Sequence, residues 1–333
     1  MPPANSPRKT INLALQGGGA HGAFTWGVLD ALLEDGRLGF SGISGTSAGA
    51  MNAVVLAHGL LSDGNDGARQ ALTRFWQAII QQAALATLPF GYSSSHMLLQ
   101  WSRFMSPQQI NPMAADPLRD ILQDQIDFEH LRRACPLQLF VAATNANTGK
   151  LRLFENHELS AQALLASACL PTIHRAVEID GEFYWDGGYS ANPAVFPLYT
   201  NCPERDILLV LLNPLQHLKT PKSAEDIRTR SLDLAFNAAF LREMQMLTLL
   251  REQSAFTFFP SGRIERRVKK LHFHLINAED LLPTLALETK LVPSRSLVEM
   301  LFEQGRTRTQ EWLANHFEAI DNRSTLDLQA VFN

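Results

Sequence analysis

Cysteine is scarce in this 333-residue chain: Cys135, Cys169 and Cys202 form an odd, scattered set with no CxxC pair. That spacing argues against a disulfide framework and against a metal site built on thiolates, and it leads us to expect reduced thiols in a cytoplasm. A surplus of positive charge is missing too. The formal net charge is −4, so there is no basic field to hold a polyphosphate backbone, and nucleic acid is not expected as a partner. No run approaches the roughly 20 consecutive apolar residues of a membrane-spanning helix, which leaves peripheral contact as the only kind open to the chain at a membrane. Internal repeats and low-complexity tracts are absent as well. The first ten residues carry three prolines and two positive charges but lead into no apolar core or small-residue cleavage site, and they read as a loose tail.

With 46% apolar and 19% charged residues, the chain is long enough to bury a large core. Short apolar runs at 11–15, 40–44, 137–143 and 207–212 read as strands, and helical spacing follows the first two, at 23–34 and 48–60. The Ala-rich stretch at 48–60 is apolar all round, as a helix buried in a layered α/β core should be. Further helices are expected at 66–80 and 160–168. Turn residues at 145–149 and at Asp180-Gly181 predict two hairpins, 137–143 with 150–154 and 176–179 with 182–185. After Asn213-Pro214 the pattern changes to long amphipathic helices at 224–253 and 294–317 with a short strand at 271–276 between them. We therefore expect a catalytic core over 11–214 and a mainly helical C-terminal extension over 215–333 packing on it. The segment 85–117 is apolar and loosely patterned, with four prolines, and suits either a lid or acyl pocket or short helices closing the core.

Three stretches carry chemistry. In Gly45-Thr46-Ser47-Ala48-Gly49 a serine stands between glycines where a strand gives way to a helix, the pattern of a nucleophile elbow that leaves a hydroxyl exposed at a helix N-terminus; a plain N-cap serine is the bland reading. Upstream, Gly17-Gly18-Gly19-Ala20-His21-Gly22 lies between a strand and a helix. Its backbone N–H groups could hold a pyrophosphate, but the second strand ends in Gly45-Thr46-Ser47 and not in the acidic residue a dinucleotide site requires, so an oxyanion is the better-matched occupant. The third is Asp186, followed by Gly187 and Gly188 and preceded by Phe183-Tyr184-Trp185, where a tight turn beside an aromatic wall would partly desolvate a carboxylate and strengthen it as a base. A histidine base remains open, with His217, His272 and His274 as candidates, although the last two alternate within a strand.

Taken in order, Gly17 to Gly22, Gly45 to Gly49 and Asp186 to Gly188 resemble the motifs of the patatin-like phospholipase family. The likeness extends to Trp185-Asp186-Gly187-Gly188-Tyr189 followed by Asn192-Pro193, and to Ala166-Ser167-Ala168 with Pro171 downstream. It implies a three-layer α/β/α sandwich with a central mixed, mostly parallel sheet, and a Ser/Asp dyad with Ser47 as nucleophile and Asp186 as base. It further implies an oxyanion hole from the Gly18 and Gly19 amides within the loop, a lipid or fatty-acyl ester as substrate, and no metal or organic cofactor. Many members of the family carry Arg or Lys where this chain has His21, which supplies a positive charge only when protonated. The expected function is a serine lipid acyl hydrolase, cytoplasmic and peripheral to a membrane. The alternatives are a catalytically inactive lipid-binding protein on the same fold and, less well supported, a dinucleotide-binding oxidoreductase.

Overall fold

The computed structural model describes residues 8–86, 116–216, 220–255, 262–282, 285, 287–290 and 293–333. One eight-stranded sheet forms its centre. The strands are β1 (Lys9–Leu15), β2 (Leu38–Thr46), β3 (Gln138–Asn145), β4 (Leu151–Glu155), β5 (Val177–Ile179), β6 (Glu182–Asp186), β7 (Asp206–Leu211) and β8 (His272–Asn277). They lie in the order β5-β6-β3-β2-β1-β7-β8, with β4 pairing β3 off this path. β3, β2, β1, β7 and β8 are parallel, and the two expected hairpins, β3–β4 and β5–β6, are antiparallel.

The flanking helices are α1 (Gly22–Asp35), α2 (Ala48–Ala86), α3 (Pro117–Gln125), α4 (Phe128–Ala134), α5 (Ala161–Ser167), α6 (Phe196–Asn201), α7 (Ala224–Ala255), α8 (Arg263–Lys269), α9 (Arg295–His316) and α10 (Leu328–Phe332). Which layer each joins follows from alternation along the strands, since successive side chains point to opposite faces. Leu13, Leu15, Leu208 and Val210 join a core with α1, α2 and α9, whereas Ala14, Ile207, Leu209 and Leu211 join a second core with α6, α7, α8 and α10. The central strands are covered on both sides, which explains their nearly continuous apolar sequences. The result is the three-layer α/β/α sandwich with a mixed, mostly parallel sheet.

α2 contains both helices expected from 48–60 and 66–80, joined through non-helical backbone at Asp63 and Gly64. The segment after residue 214 shares the core: β8 pairs with β7, α7 lies on one face and α9 on the other, against α1. At that crossing Gly27 and Gly305 let the backbones meet, since a Cβ on Gly305 would collide with the Phe24 carbonyl and one on Gly27 with the Phe302 carbonyl. Of the expected lid or pocket segment, residues 87–115 lie outside the described residues, as does His217.

Candidate active site

Ser47 stands between β2 and α2 with φ 53°, a left-handed conformation uncommon for a residue with a side chain. Such strain persists only where the surroundings over-determine it. Here the turn is held from several sides. The Ser47 amide donates to the Ser167 hydroxyl at 2.9 Å, and the Thr46 hydroxyl donates to the Ala191 carbonyl at 2.8 Å. Neither flanking glycine tolerates a side chain: a Cβ on Gly45 would stand 2.7 Å from the Ala50 nitrogen, and one on Gly49 would run into the Leu15 carbonyl.

The sheet brings Asp186 to this serine. Thr46 is paired with Ala142 on β3, and the next β3 residue, Ala143, is paired with Asp186; β4 takes the opposite edge of β3 along both residues, so β6 follows β2 on one edge and delivers Asp186 just beyond the end of β2. Ser47, which follows Thr46, and Asp186 are thus neighbours at one edge of β3. The Asp186 carboxylate interacts with the Ser47 side chain and accepts the Gly188 N–H at 2.8 Å. It is only 2% exposed. Burial pushes its pKa up to about 7, against the opposing pull of the Gly188 amide and the Ser47 side chain. The aromatic wall differs from the one expected, for Phe183 is 41% exposed. Tyr189 and Phe236 instead pack with tilted rings 4.7 Å apart and line the cavity with Asp186, Phe236 pressing on Gly188 so closely that a Cβ there would overlap it.

The glycine loop occupies the neighbouring strand end. Leu15 is opposite Gly45, so Gly17 arrives beside Ser47, where a Cβ on Gly17 would stand 2.9 Å from the serine Cβ. Within the loop the amides have different fates. Gly17 donates to Asn192 Oδ1 at 2.8 Å, His21 to the Gly18 carbonyl at 3.2 Å, and Gly22 to carbonyls of Gly19 and Ala20. Gly18 and Gly19 line the cavity beside Ser47, and their amides have no acceptor among the described residues. Gly19 adopts φ 59°, and a Cβ on it would collide with the Lys290 carbonyl.

Beneath the loop lies a buried amide network. Gln16 Oε1 accepts the amides of Leu212 and Asn213 at 2.6 and 2.7 Å, and Gln16 Nε2 donates to the Asn192 carbonyl and to Asn237 Oδ1 of α7. Lys290 Nζ donates to Asn213 Oδ1 at 3.0 Å and pairs with Asp233 of α7 at 3.2 Å. Sequence reasoning gave Gln16, Asn237, Asp233 and Lys290 no role, since each partner is distant in the chain and no local motif announces it.

His21 turns inward. It is 1% exposed, its Nε2 is 2.7 Å from the Thr289 hydroxyl, and burial, with the nearby Lys290 charge, lowers its pKa to about 4. It is therefore neutral at neutral pH and supplies no cation; the ammonium lining this cavity is that of Lys290. His272 and His274 are far from Ser47. They bond Asp206 at the first residue of β7, whereas Gly17 and Ser47 follow the last residues of β1 and β2, at the opposite edge of a parallel set. The cavity itself has a volume of about 430 Å³, with Ser47, Asp186 and the loop on one side and Met51, Trp76, Ile173, Leu232 and Phe236 among its apolar walls. Among the described residues, no cluster of three or more His, Cys, Asp or Glu side chains could hold a metal ion, and no helix is long and apolar enough to cross a membrane.

A family model described as patatin-like phospholipase matches residues 13–199, more than half of the chain and all three motif regions. Among solved structures, VipD from Legionella pneumophila is similar at 15% identity with a TM-score of 0.43, over 93% of this chain and 68% of that one. ExoU, in its complex with SpcU from Pseudomonas aeruginosa, is similar at 17% identity with a TM-score of 0.36, over 93% of this chain and 53% of that one. No curated protein matches the sequence.

Proposed function

The chain belongs to the patatin-like phospholipase family, and from that premise we propose that it is a serine-dependent hydrolase of fatty-acyl esters, of phospholipase A or lysophospholipase type, in which Ser47 is the nucleophile and Asp186 the base. The observation that carries this reading is the meeting of the two side chains, one strained at an elbow and the other buried with a pKa near 7, at the wall of an apolar cavity.

In the acylation step Asp186 takes the hydroxyl proton as Ser47 Oγ attacks the ester carbonyl. The negative charge that develops on the carbonyl oxygen is met by the Gly18 and Gly19 amides, dipoles fixed before the reaction begins. Collapse of the tetrahedral intermediate expels the alcohol, which leaves with the proton held by Asp186. Water then attacks the acyl-serine, with Asp186 again the base, and releases the fatty acid. A carboxylate with a pKa near 7 suits both directions of proton transfer at neutral pH. The apolar walls suit an acyl chain.

Hydrolysis of a chromogenic fatty-acyl ester and labelling by a fluorophosphonate probe test the assignment together. The wild type is expected to do both and Ser47→Ala neither. Labelling that survives Ser47→Ala would remove this serine from the mechanism, and a wild type that neither labels nor hydrolyses would favour an inactive lipid-binding role on the same fold. A panel of phospholipid, lysophospholipid and neutral glyceride substrates then identifies the preferred ester.

A further inference from the structure

Nine large apolar side chains among the described residues are exposed, and five of them, Ile227, Leu232, Leu234, Met246 and Leu249, lie on α7. The other four are scattered one to an element, which is ordinary for a protein surface. On α7 the pattern is regular. Ile227, Ser231, Leu234, Ala238, Arg242, Gln245 and Leu249 recur at steps of three and four residues, all are exposed, and they form one stripe. The face turned to the core is Asn237, Phe240, Met244, Leu247 and Thr248. Beside the covered face, then, α7 carries a mixed stripe on which Ile227, Leu234 and Leu249 are left exposed to solvent.

The charges on α7 indicate what covers it. Asp233 is paired with Lys290, Glu243 accepts the amides of Val195 and Phe196, and Glu252 accepts from Gln329 and Asn333. Those carboxylates are engaged within the protein, while Asp226 at the start of the helix is exposed and accepts the Ser223 amide. On or beside the stripe stand two exposed arginines, Arg228 and Arg242, and neither forms a salt bridge among the described residues. Apolar side chains flanked by arginine suit a lipid surface with anionic head groups, where the apolar groups enter the acyl boundary and each cation adds attraction. The helix is also continuous with the candidate active site: Leu232, 41% exposed, and Phe236 both line the cavity that contains Ser47.

We propose that the outer face of α7 docks the protein on an anionic lipid surface and brings the cavity mouth to it. The choice of a lipid surface over a protein rests on the reading of the cavity as a lipid-ester site, so the test does not depend on hydrolysis. Ser47→Ala protein is sedimented with vesicles of equal parts phosphatidylcholine and phosphatidylglycerol, and with phosphatidylcholine alone. Substituting Ile227→Glu, Leu234→Glu and Leu249→Glu together should weaken vesicle binding by roughly tenfold or more. Substituting Arg228→Gln and Arg242→Gln should lower binding to the anionic vesicles by about fivefold per arginine, with little change on phosphatidylcholine. None of these side chains lines the cavity, so in a Ser47 background hydrolysis of a soluble short-chain ester should be unchanged, which also reports a folded protein. Vesicle binding that is absent in the starting protein, or unaffected by the triple substitution, would overturn the proposal. So would a dimer in solution that the triple substitution converts to monomers, since a second copy would then be what covers the face.

Discussion

Asp186 is drawn two ways. The burial that lifts its pKa to about 7 makes it a competent base at neutral pH and makes its charge costly to the fold. For catalysis the carboxylate must be ionised, so kcat/KM should rise with pH along a limb with an apparent pKa near 7; a limb centred near 4 would show that Asp186 is not the group titrating. For stability the sign is opposite. The folded-state pKa lies above the ordinary value of 3.8, so the native state holds the proton more tightly between these values. That contribution is complete below about pH 4 and is lost as pH rises through 7. Asp186→Asn should therefore be more stable than wild type at pH 8, on the order of 1–3 kcal/mol, with the gap closing at pH 5. Equal melting temperatures for the two proteins at pH 8 would mean that the buried charge is compensated.

At the scale of elements, the strands and their order of appearance were legible because each is a short apolar run bounded by glycine, proline or asparagine. Both hairpins followed from turn chemistry, and Asp180 and Gly181 do take the positive φ values of such a turn, 52° and 80°. Ser47 and Asp186 were legible because the elbow and the Asp-Gly-Gly turn are local motifs. The support around them was not. Ser167 meets Ser47 across 120 residues, Gln16 meets Asn237 across 221, and Lys290 closes on Gly19 from the far end of the chain. Such pairings are set by how layers stack and leave no periodic trace. The α1–α9 crossing is of the same kind, since nothing local marks Gly27 and Gly305 as contact points. Gly305→Val should cost about 2–4 kcal/mol in urea unfolding, because its Cβ meets main-chain atoms of Phe24 and Val28 that cannot rotate away. A neutral effect would show that the helices are further apart.

For the molecule as a whole, the boundary expected near residue 215 separates sequence patterns more clearly than it separates packing. β8 pairs with β7, α9 joins the core of α1 and α2, and α7 supplies Phe236 and Leu232 to the cavity. A chain ending at residue 214 would leave the edge of β7 and much of both core faces uncovered. Such a truncation should fail to give a cooperatively folding, soluble protein. A soluble truncated chain with a sharp thermal transition would establish residues 11–214 as a separate domain.

The dyad itself is most directly examined by kcat/KM of Asp186→Asn on a chromogenic fatty-acyl ester, beside wild type and variants of His21, His272 and His274. Among the described residues Asp186 is the base bonded to the serine, although His174 also lines the cavity; Asp186→Asn should lose about 10²–10⁴-fold or more, while His272→Gln and His274→Gln, at the other edge of the sheet, should leave the kinetics of the folded enzyme near wild type. A loss under tenfold for Asp186→Asn, alongside a deep loss in any one histidine variant that remains folded, would replace the Ser47–Asp186 dyad with a histidine-based mechanism.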